Sequence, residues 1–127
     1  MTIFNLVKDD TAPQVKATIT RSDTGAAVDM GGATVRMYFR AKGTSSVLFT
    51  VNATNVGDNF TNGVAIFVFS SGNLNQAEGF YEGEIEITYA NGTVETIFDL
   101  LDFYLRSDFW WLSLVFYFKK QRLVYLY

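Results

Sequence analysis

Apolar and polar residues alternate one by one along most of this chain, and that period of two limits what it can fold into. Val15, Ala17 and Ile19 alternate with Gln14, Lys16, Thr18 and Thr20. Val35, Met37 and Phe39 alternate with Thr34, Arg36, Tyr38 and Arg40, and Val47, Phe49 and Val51 continue the habit. Gly83, Ile85, Ile87 and Tyr89 alternate with Glu82, Glu84, Glu86 and Thr88. Successive side chains of a strand point to opposite faces, so each run reads as a strand with one buried and one wet face. From Val64 to Phe69 both parities are apolar, which predicts a strand covered on both sides.

Turn chemistry separates the runs. Ser22-Asp-Thr-Gly25, Met30-Gly-Gly32 and Lys42-Gly-Thr-Ser-Ser46 fall between them, and only Asn73–Glu78 has room for a helical turn. Asn91-Gly92 lies between two alternating runs and predicts a two-residue hairpin turn. That turn would set Tyr89 opposite Val94, Ile87 opposite Thr96 and Ile85 opposite Phe98 on the core face. Thr88, Glu86 and Glu84 would then face Glu95, Ile97 and Asp99 on the other. Like charges directly opposite disfavour a ladder, so the ladder is expected to fray or bulge near Asp99, or to have something cationic beside it. Strands at this spacing predict an all-β sandwich. Its expected core is Val15, Ala17, Ile19, Val35, Met37, Phe39, Phe49, Val51, Val64, Ile66, Val68, Tyr81, Ile85, Ile87, Tyr89 and Val94.

The 127 residues suit one domain, but the charge is uneven. Residues 1–108 hold 13 acids and seven bases, whereas 109–127 hold three bases, no acid and eight aromatics in 19 residues. The chain therefore divides into a β-sandwich over 1–108 and an aromatic, basic tail over 109–127. The sequence has no histidine and no cysteine. This excludes a histidine-based triad, a thiolate nucleophile, zinc knuckles and disulfides. No phosphate-binding loop is present, and a net charge of −3 without a basic groove argues against nucleic acid. No signal peptide or membrane span is expected, since the longest greasy run, Phe109–Phe118, has ten residues and a helical span needs about 20. The Asn-x-Ser/Thr triplets at Asn52, Asn59 and Asn91 read as loop composition. No enzyme activity and no cofactor are expected.

Two groups of residues are candidates for contact. Glu82, Glu84 and Glu86, with Glu95, form a candidate acidic docking face for a basic partner surface. The plain alternative is a solvated outer face, and no calcium loop accompanies the stripe, so no metal site is expected there. Carboxylate pairs such as Asp9/Asp10 and Asp99/Asp102 lack any sign of a shared cleft and read as turn chemistry. Tyr38, Phe80 and Tyr104 are the aromatics outside the tail that could stack on a ligand. The tail offers Phe109, Trp110, Trp111, Phe116, Phe118, Lys119, Lys120, Arg122, Tyr125 and Tyr127 as a candidate assembly anchor, because aromatic and basic side chains dominate interface cores. Two other readings of 109–127 are a last strand of the domain's own core and a truncated or shifted reading frame.

A set of signatures occurs in order: Asp10-Thr-Ala-Pro13, Val15–Thr20, Asp23-Thr-Gly25, Val28-Asp29 and Ala33–Phe39. Gly63-Val64, Glu78–Glu86 and Asn91-Gly-Thr93 follow. Over roughly residues 8–106 this order resembles the immunoglobulin-like N-terminal domain of phage baseplate upper proteins and related tailed-phage virion structural proteins. The resemblance implies an immunoglobulin-like antiparallel β-sandwich of seven or eight strands. It also implies a non-enzymatic structural role in the virion, through contacts with other virion proteins or copies of itself, as capsid decoration, neck, tail or baseplate accessory. The competing expectation is a small carbohydrate-binding β-sandwich module that uses exposed aromatics.

Overall fold

The computed structural model describes residues 3–107. Eight strands form, with no helix among the described residues: β1 (Ile3–Val7), β2 (Gln14–Thr18), β3 (Thr34–Ala41), β4 (Val47–Thr54), β5 (Val64–Val68), β6 (Gly79–Thr88), β7 (Val94–Thr96) and β8 (Leu101–Arg106). One layer runs β1-β8-β6-β3-β4, and the other runs β4-β5-β2. β4 belongs to both. Its first part pairs with β3, and its last residues, Ala53 and Thr54, pair with Phe67 and Ile66 of β5. β7 lies along the same side of β6 as β8, further toward the C-terminal end of β6. Every pairing between strands is antiparallel except β1 with β8. The fold is an immunoglobulin-like, all-β sandwich.

The alternation explains the layers. β3 buries Val35, Met37 and Phe39, β6 buries Tyr81, Ile85 and Ile87, β2 buries Val15 and Ala17, and β8 buries Phe103 and Leu105. These side chains form one contiguous core between the layers. Phe39 is its centre, stacked on Phe49 at 4.5 Å and on Tyr81 at 5.1 Å, with Phe103 at 5.2 Å. Phe69, which follows β5 in the other layer, meets Phe39 edge-on at 6.3 Å and so joins the two sheets.

Three expectations need correction. In β5 the inward residues are Ala65 and Phe67, continued by Phe69, whereas Val64 and Ile66 are half-buried and Val68 is exposed. Both parities are apolar, so the parity that buries two phenylalanines removes more area from water than one that buries β-branched residues. Val94 is exposed, not core. The β6–β7 register also differs by one residue: Glu86, Ile87 and Thr88 face Thr96, Glu95 and Val94. The loop is Ala90-Asn91-Gly92, closed by Gly92 N–H donating to Tyr89 O at 2.9 Å and Tyr89 N–H to Thr93 O at 2.8 Å. A two-residue turn of the Asn-Gly kind needs positive φ at both residues. Here only Gly92 has it, at 88°, and the Asn91 side chain instead accepts hydrogen bonds from Thr93 N and Oγ1. Asn73–Glu78 forms no helix.

Candidate interaction face

The outer face of the β1-β8-β6-β3-β4 layer carries the densest polar chemistry of the described residues. Antiparallel pairing sets Arg36, Tyr38 and Arg40 of β3 directly opposite Glu86, Glu84 and Glu82 of β6. Asp102 and Tyr104 of β8 face Glu82 and Phe80 across the other side of β6. The glutamate stripe is thus met by a basic stripe with the same period. Arg40 Nε donates to Glu82 Oε1 at 3.1 Å, and the backbone N–H of Gly43 donates to the same oxygen at 3.2 Å. Tyr38 Oη donates to Glu86 Oε1 at 3.0 Å, with Arg36 Nη1 3.7 Å from that oxygen. Lys42 Nζ lies 3.4 Å from Asp102 Oδ1.

Glu82 is the buried member of the stripe, although it sits on the wet parity of β6. A buried carboxylate is tolerated only when its charge is paired and hydrogen-bonded, and Arg40 and the Gly43 amide do both. The parity of Arg36, Tyr38 and Arg40 was a visible signal for this pairing. The β3–β6 register needed to match it to the glutamates was not.

Glu95 does not belong to this face. The one-residue change of hairpin register turns it to the side of Ile87, at the edge between the two layers. There it accepts a hydrogen bond from Tyr89 Oη at 2.7 Å and from Arg21 Nη1 at 2.9 Å. The Glu95 charge raises the Arg21 pKa. Tyr89 is also raised, first by burial and then by Glu95. Glu82, Glu84 and Glu86 are brought together as expected, and Glu95 is a clasp between layers.

Beyond the acids, the face carries an aromatic pair. Phe80, 56% exposed, lies 4.9 Å from Tyr104 at a tilt of 56°. Tyr104 Oη donates to Glu78 Oε2 at 3.2 Å, and Ser107 N–H donates to Glu78 Oε1 at 3.0 Å. The Ser107 amide is the main reason the Glu78 carboxyl is held below its usual range. Tyr38, the third candidate aromatic, is half-buried and committed to Glu86. Where β7 gives way to β8, the chain bulges at residues 98–100 beside an open depression of about 720 Å³. The ladder breaks near Asp99, as the sequence predicts, but Phe98, expected opposite Ile85 on the core face, stands there almost fully exposed because the hairpin register differs. The tail anchor residues from Phe109 to Tyr127 lie outside the described residues. Among the described residues, no three carboxylates gather into a group that could hold a metal ion.

No protein-family model matches this chain, and no curated protein matches it. Among solved structures, it is similar to CopC from Methylosinus trichosporium OB3b, with 11% sequence identity and a TM-score of 0.47 over 84% of this chain and 86% of that one.

Proposed function

We propose that this chain is a non-enzymatic structural component of a tailed-phage particle, as capsid decoration, neck, tail or baseplate accessory. In this reading it works through protein–protein contacts with other virion proteins or with copies of itself, and it resides in the virion. The observation that carries the contact role is the outer sheet face, where exposed Phe80 on Tyr104 shares a surface with arginines already paired with glutamates. Aromatics and arginine are enriched in interface cores, and a charge that arrives paired leaves no lone ion to desolvate when the face is covered. The particle context rests on the family resemblance, which is analogy at the level of fold. In this chain the residues that carry the resemblance fall on connections and strands: Asp10–Pro13 leads from β1 into β2, Glu78–Glu86 covers most of β6, and Asn91-Gly-Thr93 lies in the β6–β7 hairpin. No role for nucleic acid, membrane or cofactor is part of this reading.

The test is mass spectrometry of purified, salt-washed particles. A constant number of copies per particle is the expected result, and absence from washed particles overturns the reading. Phe80→Ser should lower incorporation while leaving the isolated domain folded. A second reading, a carbohydrate-binding module, is favoured by the same open aromatic pair. It predicts glycan-array binding by the isolated monomer that is lost in Phe80→Ala.

A further inference from the structure

The strand ladder along β6 is interrupted on its outer side. β7 ends at Thr96 and β8 begins at Leu101, and the pairing sum against β6 changes by two residues between them. Ile97 N–H still donates to Ile85 O at 2.9 Å, after which the chain from 98 to 100 leaves the ladder and forms one wall of the depression. Phe98 stands on this wall and is 96% exposed. A phenylalanine that its own fold leaves in water is a candidate anchor for something that covers it. The same depression is lined by the carboxylates Glu82, Glu84, Asp99 and Asp102 against the cations Arg40 and Lys42, four minus two, a balance of −2. Both cations are engaged, Arg40 by Glu82 and Lys42 by Asp102. The side-chain carboxylates of Glu84 and Asp99 carry no ion pair or hydrogen bond among the described residues.

One segment of this chain matches that depression in chemistry. Residues 109–127 hold eight aromatics, three bases and no acid. They follow β8, which starts beside the depression at Leu101 and ends at Arg106, five residues further on and so about 17 Å away. The chain leaves β8 heading away from its own depression, and nearly 20 further residues can span up to about 60 Å. We infer that residues 109–127 of one copy seat in the β7–β8 depression of the next, with Lys119, Lys120 or Arg122 on Glu84 and Asp99 and an aromatic ring against Phe98. The contact joins two different surfaces, so it builds a ring, an open string or a pair that exchanges tails, according to the rotation between copies. It rests on the reading that the chain works by protein contacts, but not on the particle in which it does so.

The test is sedimentation velocity of the full chain over a range of concentrations at two salt levels. Mass should rise with concentration and rise less at high salt, because exposed charges are screened. Phe98→Ser, which removes a side chain its own fold does not pack, should shift self-association at least tenfold to higher concentration with an unchanged circular dichroism spectrum. Glu84→Lys with Asp99→Lys should do the same, as should Lys119→Glu, Lys120→Glu and Arg122→Glu together. The groove and tail reversals combined in one chain should restore association. Association indifferent to the Phe98 and groove variants overturns the inference, as does a chain that stays monomeric at every concentration. A monomer found at constant copy number in particles loses this inference while the structural role stands. Groove-dependent association of a chain absent from particles upholds this inference and overturns the virion role.

Discussion

Gly63 occupies a position that no other residue fills without strain. Its φ is 76°, and a Cβ there would lie 2.5 Å from the carbonyl oxygen of Ile19. Its own carbonyl accepts from Ile19 N–H at 2.7 Å, so the backbone cannot back away without losing the contact that joins β2 to β5. Gly63→Ala should cost about 2–3 kcal/mol, the sum of left-handed backbone strain and the clash. Chemical denaturation measures this, and a loss within about 0.5 kcal/mol would place the change among neutral surface substitutions. Glu78 supplies a pH-dependent term. Its carboxyl is held below the usual range by the Ser107 amide and, secondarily, by Tyr104. A lowered folded pKa means that the stabilisation is present above the ordinary carboxylate value and fades as pH falls through the folded one. Melting temperatures of the wild type and Glu78→Gln should therefore differ near neutrality and converge in acid. A gap that stays constant down to acid pH contradicts this account.

Two ion pairs made by the strands and their flanks should differ in value because their elements bury them differently. Arg40–Glu82 spans β3 and β6, with side chains 29% and 10% exposed, and Glu82 has the Gly43 amide as a second partner. Arg21–Glu95 links the segment after β2 to β7, with side chains 49% and 37% exposed. Removing one partner of a half-desolvated pair strands a charge, whereas an exposed pair gains little over water. Arg40→Ala should cost about 1–3 kcal/mol and Arg21→Ala less than about 1 kcal/mol, read from denaturant midpoints with unchanged slopes. Equal losses would show that β3–β6 pairing does not shield Glu82. At this scale β6 organises the face, since β3 lines one side and β8 followed by β7 line the other.

Residues 3–107 supply both layers of the sandwich. One core joins both layers, with Phe39 touching Phe49, Tyr81 and Phe103 in its own sheet and Phe69 in the other. No buried side-chain nitrogen or oxygen lacks a hydrogen-bond partner among the described residues. A chain ending at residue 108 should therefore unfold in one cooperative transition and keep a β-type circular dichroism spectrum. A truncated chain that fails to fold would show instead that residues 109–127 supply a strand of the core. Loss of assembly from a folded truncated chain is the outcome that the anchor reading requires.

Side-chain parity is a local property, set by the backbone geometry of a single strand, and it was legible residue by residue. Val15, Met37, Phe39, Ile85 and Ile87 point inward because each run offers one apolar face. Glu82, Glu84 and Glu86 share a face for the same reason. β5 was not legible, because two apolar parities compete there and only the space available to Phe67 and Phe69 between the layers selects one. The hairpin register was misread because Asn-Gly serves more than one loop length, and the Asn91 side chain bonded to Thr93 decides which. That single residue of register moved Glu95 from the acidic face to a clasp on Arg21. The sequence by itself determined the class of fold and which residues share a strand face. Only the tertiary structure decided that β3 lies beside β6, that Arg40 meets Glu82, and that Phe98 is left uncovered. Those outcomes depend on pairings between segments tens of residues apart, whose energies come from contacts that no local pattern encodes.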